Sequence, residues 1–190
     1  MKNKYSLIGG DSKPTKQKLI SRPMAGDELK KIIKNETRED INLIRYNQLH
    51  RYKDIISCLK NGVCVLLYES KQNSGHWCCI IVTYSNDGSK VIEFFDPYGM
   101  MIDDELKYIE ENFKEKSNQE YPILTKMLYD CKYPISYNQY RFQKMGDNIA
   151  TCGCWVICRI LNKNMPLDEF YKVFSKYDDK QMSQIIYELL

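Results

Sequence analysis

The chain has 190 residues, 43% of them apolar and 28% charged, with a net charge of +3. That is the composition of one globular domain and excludes a disordered chain. No apolar run approaches the roughly 18 residues that cross a bilayer, no apolar stretch of a secretory signal opens the chain, and +3 by itself is too small to argue for nucleic acid.

Residues 1–24 hold Lys2, Lys4, Lys13, Lys16, Lys18 and Arg22 against Asp11, so they carry +5 and the remaining residues −2. With Gly9, Gly10, Pro14 and Pro23 and no clear period, this stretch reads as a flexible basic arm before a domain over 25–190. It is either a solvated tail or a contact to a polyanion or partner. Asp27 is placed to cap a helix through Leu29, Ile32 and Ile33. Leu49, Ile55, Ile56 and Leu59 predict a second helix over 47–60, ended by Asn61-Gly62.

Three strands follow. Residues 63–68 are a continuous apolar run, 76–84 are rich in β-branched and aromatic residues, and 91–95 follow a good hairpin loop. The turn Asp96-Pro97-Tyr98-Gly99 stops the third, because proline cannot continue a central ladder. Further helices are predicted over 103–113 and 121–131, then a strand over 135–143. A buried apolar helix over 152–161 and amphipathic helices over 167–176 and 179–190 finish the chain. Helices, then strands, then helices predict an α+β fold with a small, mainly antiparallel sheet flanked by helices.

Without a secretory signal, the eight cysteines are expected as reduced thiols. Only two histidines are present, His50 on a predicted surface helix and His76 at a loop-to-strand junction. Asp96 ends the next strand of the hairpin, which can bring it beside His76. Cys152 stands where the apolar helix begins, where the helix dipole favours a thiolate. A thiolate is a nucleophile, an imidazolium protonates a leaving amine, and a carboxylate fixes the imidazole tautomer. Gly153 leaves its backbone open to a substrate, and the Cys152 N–H can donate to an oxyanion. Taken singly, each of these residues also has an ordinary structural reading, as core thiol or turn residue; their conjunction is the specific signal. The cysteines lack the paired spacing of zinc sites. Cys78 and Cys79, adjacent on a strand, point to opposite faces, so no structural zinc is expected.

His76-Trp77, the stretch Phe94 to Gly99, Gln143 and Thr151-Cys152-Gly153 together resemble the adenovirus-type cysteine endopeptidases, which group with the SUMO-processing proteases. The likeness spans roughly residues 60–165. The order His, acid, Cys is that of the superfamily, and implies a permuted papain-like fold. The compact length and the stretches Met24 to Leu29 and Glu93 to Gly99 look most like maturation proteases of large DNA viruses and virophages. The resemblance implies Cys152 as nucleophile, His76 as general base and acid, Asp96 as its orienting group and Gln143 as oxyanion donor. It implies Trp77 along the cleft and no cofactor. Gln143 lies nine residues before Cys152, where the family usually has six or seven, so a bulge at Gly146-Asp147-Asn148 is expected and Gln139 and Asn148 remain rival donors.

The activity implied is cleavage of viral capsid or core precursors after Gly-Gly or Gly-X sites. The chain itself contains Leu7-Ile8-Gly9-Gly10 before Asp11, a candidate self-processing site. Alternatives within the fold are a deconjugating protease for ubiquitin-like modifiers or a triad-dependent acetyltransferase. Outside it stands a non-enzymatic polyanion binder. The partners expected are a protein substrate and an optional DNA or peptide activator on the arm, with no membrane and a monomeric chain.

Overall fold

The computed structural model describes residues 19–85, 87–146 and 148–190. Its centre is the antiparallel meander β2 (Val63–Lys71), β3 (Ser74–Tyr84) and β4 (Lys90–Phe95). Two short edge strands complete a five-stranded sheet in the order β1-β2-β3-β4-β5. β1 (Asn42–Arg45) pairs parallel to β2, and β5 (Ile135–Tyr137) parallel to β4. The expected α+β fold is thus present, with the antiparallel part at its centre and parallel pairs at both edges. Parallel neighbours need crossover connections, and both edges have them. A 3-10 turn (Tyr46–Arg51) and α2 (Ile55–Cys58) link β1 to β2. A second 3-10 turn (Asp104–Tyr108), α3 (Glu111–Ser117) and α4 (Ile123–Tyr129) link β4 to β5.

Strand alternation divides the interior into two cores. Val63, Val65, Leu67, Trp77, Cys79, Ile81 and Phe95 face one side, under α1 (Gly26–Thr37), α5 (Cys152–Leu161), α6 (Leu167–Phe174) and α7 (Asp179–Tyr187). Cys64, Leu66, Tyr68, Cys78, Ile80 and Phe94 face the other, under the crossover segments. Cys78 and Cys79 therefore lie in different cores, as their adjacency on a strand requires. α5 is buried along nearly its whole length. It is tied to the sheet by Arg159, whose Nε and Nη2 donate to the two oxygens of Glu93 at 2.7 and 2.9 Å. Both side chains are almost fully buried, and the Arg159 guanidinium also stacks over Phe170.

Several local expectations shift. α1 starts at Gly26, so Asp27 sits in its first turn rather than capping it, while the Glu28 carboxylate accepts from the Ala25 N–H. The helix predicted over 47–60 is two pieces. Asp54 is extended and accepts from the Ser57 N–H, starting α2 afresh where a continuous helix would pass. The helix predicted over 103–113 also breaks. Asp103 has φ 66°, a left-handed conformation no helix interior allows, and the hydroxyls of Tyr46 and Tyr68 donate to its carboxylate. The strand predicted over 135–143 is ordered as a strand only over Ile135–Tyr137; the remainder runs as irregular chain toward the site.

Of the expected arm, residues 1–18 lie outside the described residues, and with them the Gly10–Asp11 bond. Residues 19–24 lie against the domain. The Ile20 carbonyl accepts from Ala150 N–H at 2.7 Å, Met24 is buried, and its carbonyl accepts from Trp77 Nε1–H at 3.0 Å. These contacts hold residues 20–24 against the rest of the described chain. Among the described residues no helix is long and apolar enough to cross a membrane.

Candidate active site

Gly75 sets up the first residue of the site. A Cβ there would stand 1.8 Å from the Tyr68 carbonyl oxygen, so only glycine lets β3 meet β2 at the irregularity between Glu69 and Lys71. The next residue, His76, turns its ring to the crossover side of the sheet. Asp96 follows the last registered pair of the β3–β4 hairpin, Cys79 with Phe95, which puts it on the same side.

The two side chains meet. His76 Nε2 lies 2.7 Å from Asp96 Oδ1. A carboxylate can only accept, so Nε2 carries a proton in either charge state of the ring. Cys152 lines the same cleft as His76. Cys152 opens α5, after Thr151 at the cap position. His76, Asp96 and Cys152 are respectively 6%, 0% and 7% exposed, so the arrangement is desolvated except at the cleft.

Asp96 is held from behind. Its oxygen Oδ1 also accepts from the Tyr98 N–H at 2.8 Å. The buried amide of Asn138 accepts from the Asp96 N–H at 2.8 Å and donates to the Asp96 carbonyl at 2.7 Å. The Tyr98 ring stacks on His76. Gly99, at φ 70°, closes this turn; a Cβ would stand 2.6 Å from the Tyr140 carbonyl.

The electrostatics favour a charged imidazole. Burial alone would disfavour the imidazolium, but the surrounding acids overcome it and raise the His76 pKa well above its ordinary value. The upward pull comes from Cys78, whose sulfur lies within 4.8 Å of a ring nitrogen, and from Asp96 and Cys152. Burial, and then the Asp96 charge, raise the Cys78 thiol itself far above its usual range. Glu105, from the second 3-10 turn, is also raised by burial, with His76 opposing and Asp96 adding to the rise.

His76, Trp77, Tyr98, Glu105, Gln143 and Cys152 line a cleft of about 620 Å³. Its other wall includes Ser21, Pro23 and Met24. Of the three amides considered as oxyanion donors, Gln143 reaches this cleft. It is 1% exposed, and its Nε2 donates at 3.3 Å to Tyr98 Oη and to the Ile149 carbonyl. Gln139 is exposed and hydrogen-bonds Tyr137; Asn148 is exposed on a separate hollow with Lys180. Asp147, in the expected bulge, lies outside the described residues.

Trp77 lines the cleft from the opposite face of β3, with its indole N–H on the Met24 carbonyl. Gly153 is buried, and a Cβ there would stand 2.9 Å from Met24 Cβ and 3.4 Å from Trp77 Cδ1, so the close approach of the N-terminal segment favours glycine.

Sequence reasoning missed Asn138, Glu105, Cys78 and Asp179. Asp179 is buried and accepts from Thr151 Oγ1 at 2.5 Å, Trp155 Nε1 at 2.9 Å and Lys144 N at 3.0 Å. It thereby clamps the start of α5 to the chain just after Gln143. Asn138, Glu105 and Asp179 act through contacts distant in sequence, which leave no local pattern, whereas Cys78 stands two residues after His76 on the same face of β3. His76, Cys78 and Asp96 also form a buried group whose nitrogen, sulfur and oxygen donors all lie within 4.8 Å of one another.

No protein-family model matches the chain. It is 41% identical over 131 residues to the uncharacterized protein V9 of Sputnik virophage, covering 68% of this chain and 73% of that protein. Among solved structures, the selenomethionine form of the ASFV pS273R protease aligns over 91% of this chain and 70% of its own, at a TM-score of 0.52 and 14% identity. That is a likeness of fold. A second structure of the same protease aligns over 67% of this chain at a TM-score of 0.40 and 19% identity, and there the chain spans 42% of the protease.

Proposed function

We propose that this chain, which belongs to the same family as Sputnik virophage protein V9, is a cysteine endopeptidase. The observation that carries the reading is the hydrogen bond between His76 Nε2 and Asp96 Oδ1 beside a cleft that His76 and Cys152 both line. The fold shared with a viral protease structure supports it.

In this reading Nδ1 of His76 takes the Cys152 proton, and Asp96 stabilises the imidazolium that forms. The thiolate attacks the scissile carbonyl and the S–C bond forms. The oxyanion is met by Gln143 Nε2 and the Cys152 N–H at the start of α5. As the C–N bond breaks, the imidazolium gives its proton to the leaving amine. Water, activated by the same imidazole, then hydrolyses the thioester and frees the thiolate.

The substrate we propose is a viral capsid or core precursor cut after a Gly-Gly or Gly-X pair, in the virion or the infected cell. The chain's own Leu7-Ile8-Gly9-Gly10 stretch is a candidate for self-processing. The test is hydrolysis of a fluorogenic Leu-Ile-Gly-Gly peptide by the full chain. Cleavage that vanishes in folded Cys152→Ala supports the reading. Cleavage that persists in that variant overturns it. Acetyl-CoA-dependent labelling without peptide hydrolysis would assign an acetyltransferase. Turnover confined to ubiquitin or SUMO fusions would assign a deconjugating protease.

A further inference from the structure

We propose that His76, Cys78, Asp96 and Glu105 form a binding site for a divalent metal ion of the zinc class, and that the ion switches the enzyme off. The inhibitory part rests on His76 being the general base; the binding part does not.

The donor set is the first argument. An imidazole nitrogen, a thiol sulfur and carboxylate oxygens are the ligands that zinc takes in tetrahedral sites, at about 2.0–2.3 Å from the ion. Donors around such an ion stand roughly 3.3–3.8 Å apart. The three donor atoms of His76, Cys78 and Asp96 already lie within 4.8 Å of one another, and Glu105 Oε1 is 3.9 Å from His76 Nε2. Small side-chain rotations close the remaining gaps.

Unpartnered acceptors mark the same place independently of donor spacing. Asp96 Oδ2 and Glu105 Oε1 are buried and have no hydrogen-bond partner. Their residues are 0% and 8% exposed. A buried carboxylate oxygen left without a partner is unfavourable. Two of them beside one imidazole and one thiol leave a pocket of unsatisfied acceptors that a cation would satisfy together. The route in is the cleft, which both His76 and Glu105 line.

The elements explain the convergence. His76 and Cys78 are two apart on β3 and share a face. Asp96 comes from the end of β4, and Glu105 from the turn that covers this face. The site needs one cysteine rather than a pair, so cysteine spacing does not reveal it.

The chemistry of inhibition follows from the tautomer. On binding, the Cys78 thiol proton and the Nε2 proton of the imidazolium pass to solvent as the metal–sulfur and metal–nitrogen bonds form. Coordination through Nε2 leaves the neutral ring's one proton on Nδ1, the nitrogen that takes the Cys152 proton in the proposed mechanism. That nitrogen then has no lone pair with which to take the thiol proton.

The test uses the full chain with Cys152→Ala, which removes the nucleophile's sulfur and keeps all four donors. Zn2+ is titrated against a chromophoric chelator. We expect one ion per chain. Adding Cys78→Ser or Glu105→Gln should weaken binding by about tenfold or more, since even outer groups of metal sites change affinity about 10–100-fold. No binding by Cys152→Ala, or binding unchanged by Cys78→Ser, overturns the site. Thermal melting without metal checks the fold of each variant. Should Cys78→Ser fail to fold, Co2+ added to Cys152→Ala decides: a thiolate-to-cobalt charge-transfer band supports the site and its absence overturns it. Binding by Cys152→Ala alongside a wild-type chain that hydrolyses no peptide would keep the metal site and reject the peptidase.

Discussion

The Tyr98 ring lies flat on the His76 imidazole, with centroids 4.3 Å apart and planes 8° apart, while its hydroxyl accepts from Gln143 Nε2 at 3.3 Å. One side chain from the Asp96–Gly99 turn thus links the candidate base to the candidate oxyanion donor. Tyr98→Phe keeps the stack and releases the amide. One neutral hydrogen bond is worth about 0.5–1.5 kcal/mol, so kcat on a Gly-Gly peptide should fall roughly 2- to 10-fold. Tyr98→Ala, which also frees the imidazole, should fall further.

Gln143→Ala should lower kcat by about 10²–10³ while KM changes little, because the amide meets charge that develops only in the transition state. Gln139→Ala and Asn148→Ala should leave kcat within about twofold. Steady-state kinetics on one peptide separates the three. A large loss at Asn148 with none at Gln143 would reassign the donor.

Asp179 carries three hydrogen bonds that join Thr151, Trp155 and Lys144. Asp179→Ala orphans these buried donors and should cost about 2–4 kcal/mol in urea unfolding, since each stranded group costs about 1–3 kcal/mol. Peptide turnover should also fall in the fraction that remains folded, because the start of α5 loses its clamp.

The Arg159–Glu93 pair anchors α5 to β4 inside the core. Removing one partner strands a buried charge, so Arg159→Ala should destabilise by about 3–5 kcal/mol. Arg159→Met combined with Glu93→Leu should recover most of that loss, since an apolar pair of similar volume has no charge to desolvate. Denaturant midpoints of the single and double variants check both statements.

The N-terminal segment contributes to the fold as well as to the cleft wall. A chain starting at residue 25 loses buried Met24 and the acceptor of Trp77 Nε1. Its thermal midpoint should lie below that of a chain starting at residue 19. Equal midpoints would show that the contacts of 19–24 do not stabilise the domain.

What the sequence determined by itself was the local framework and the chemistry carried on it. Apolar runs and turn residues marked β2, β3 and β4, and a continuous apolar stretch marked α5. The scarcity of histidine singled out His76, and the hairpin pointed Asp96 toward it. These signals depend on neighbours within a few residues, so they survive in the linear order. Tertiary structure decided the rest. The helix expected over 47–60 yields to the cap at Asp54. The helix expected over 103–113 breaks at Asp103, whose left-handed turn is bound by tyrosines from β2 and the first crossover. Gly153 answers to Met24, more than a hundred positions away in sequence. Asn138, Asp179 and Glu105 acquire their places through contacts between segments distant in the chain. A buried carboxylate or amide is placed by whichever donors the packed chain brings to it, and that pairing has no period to read.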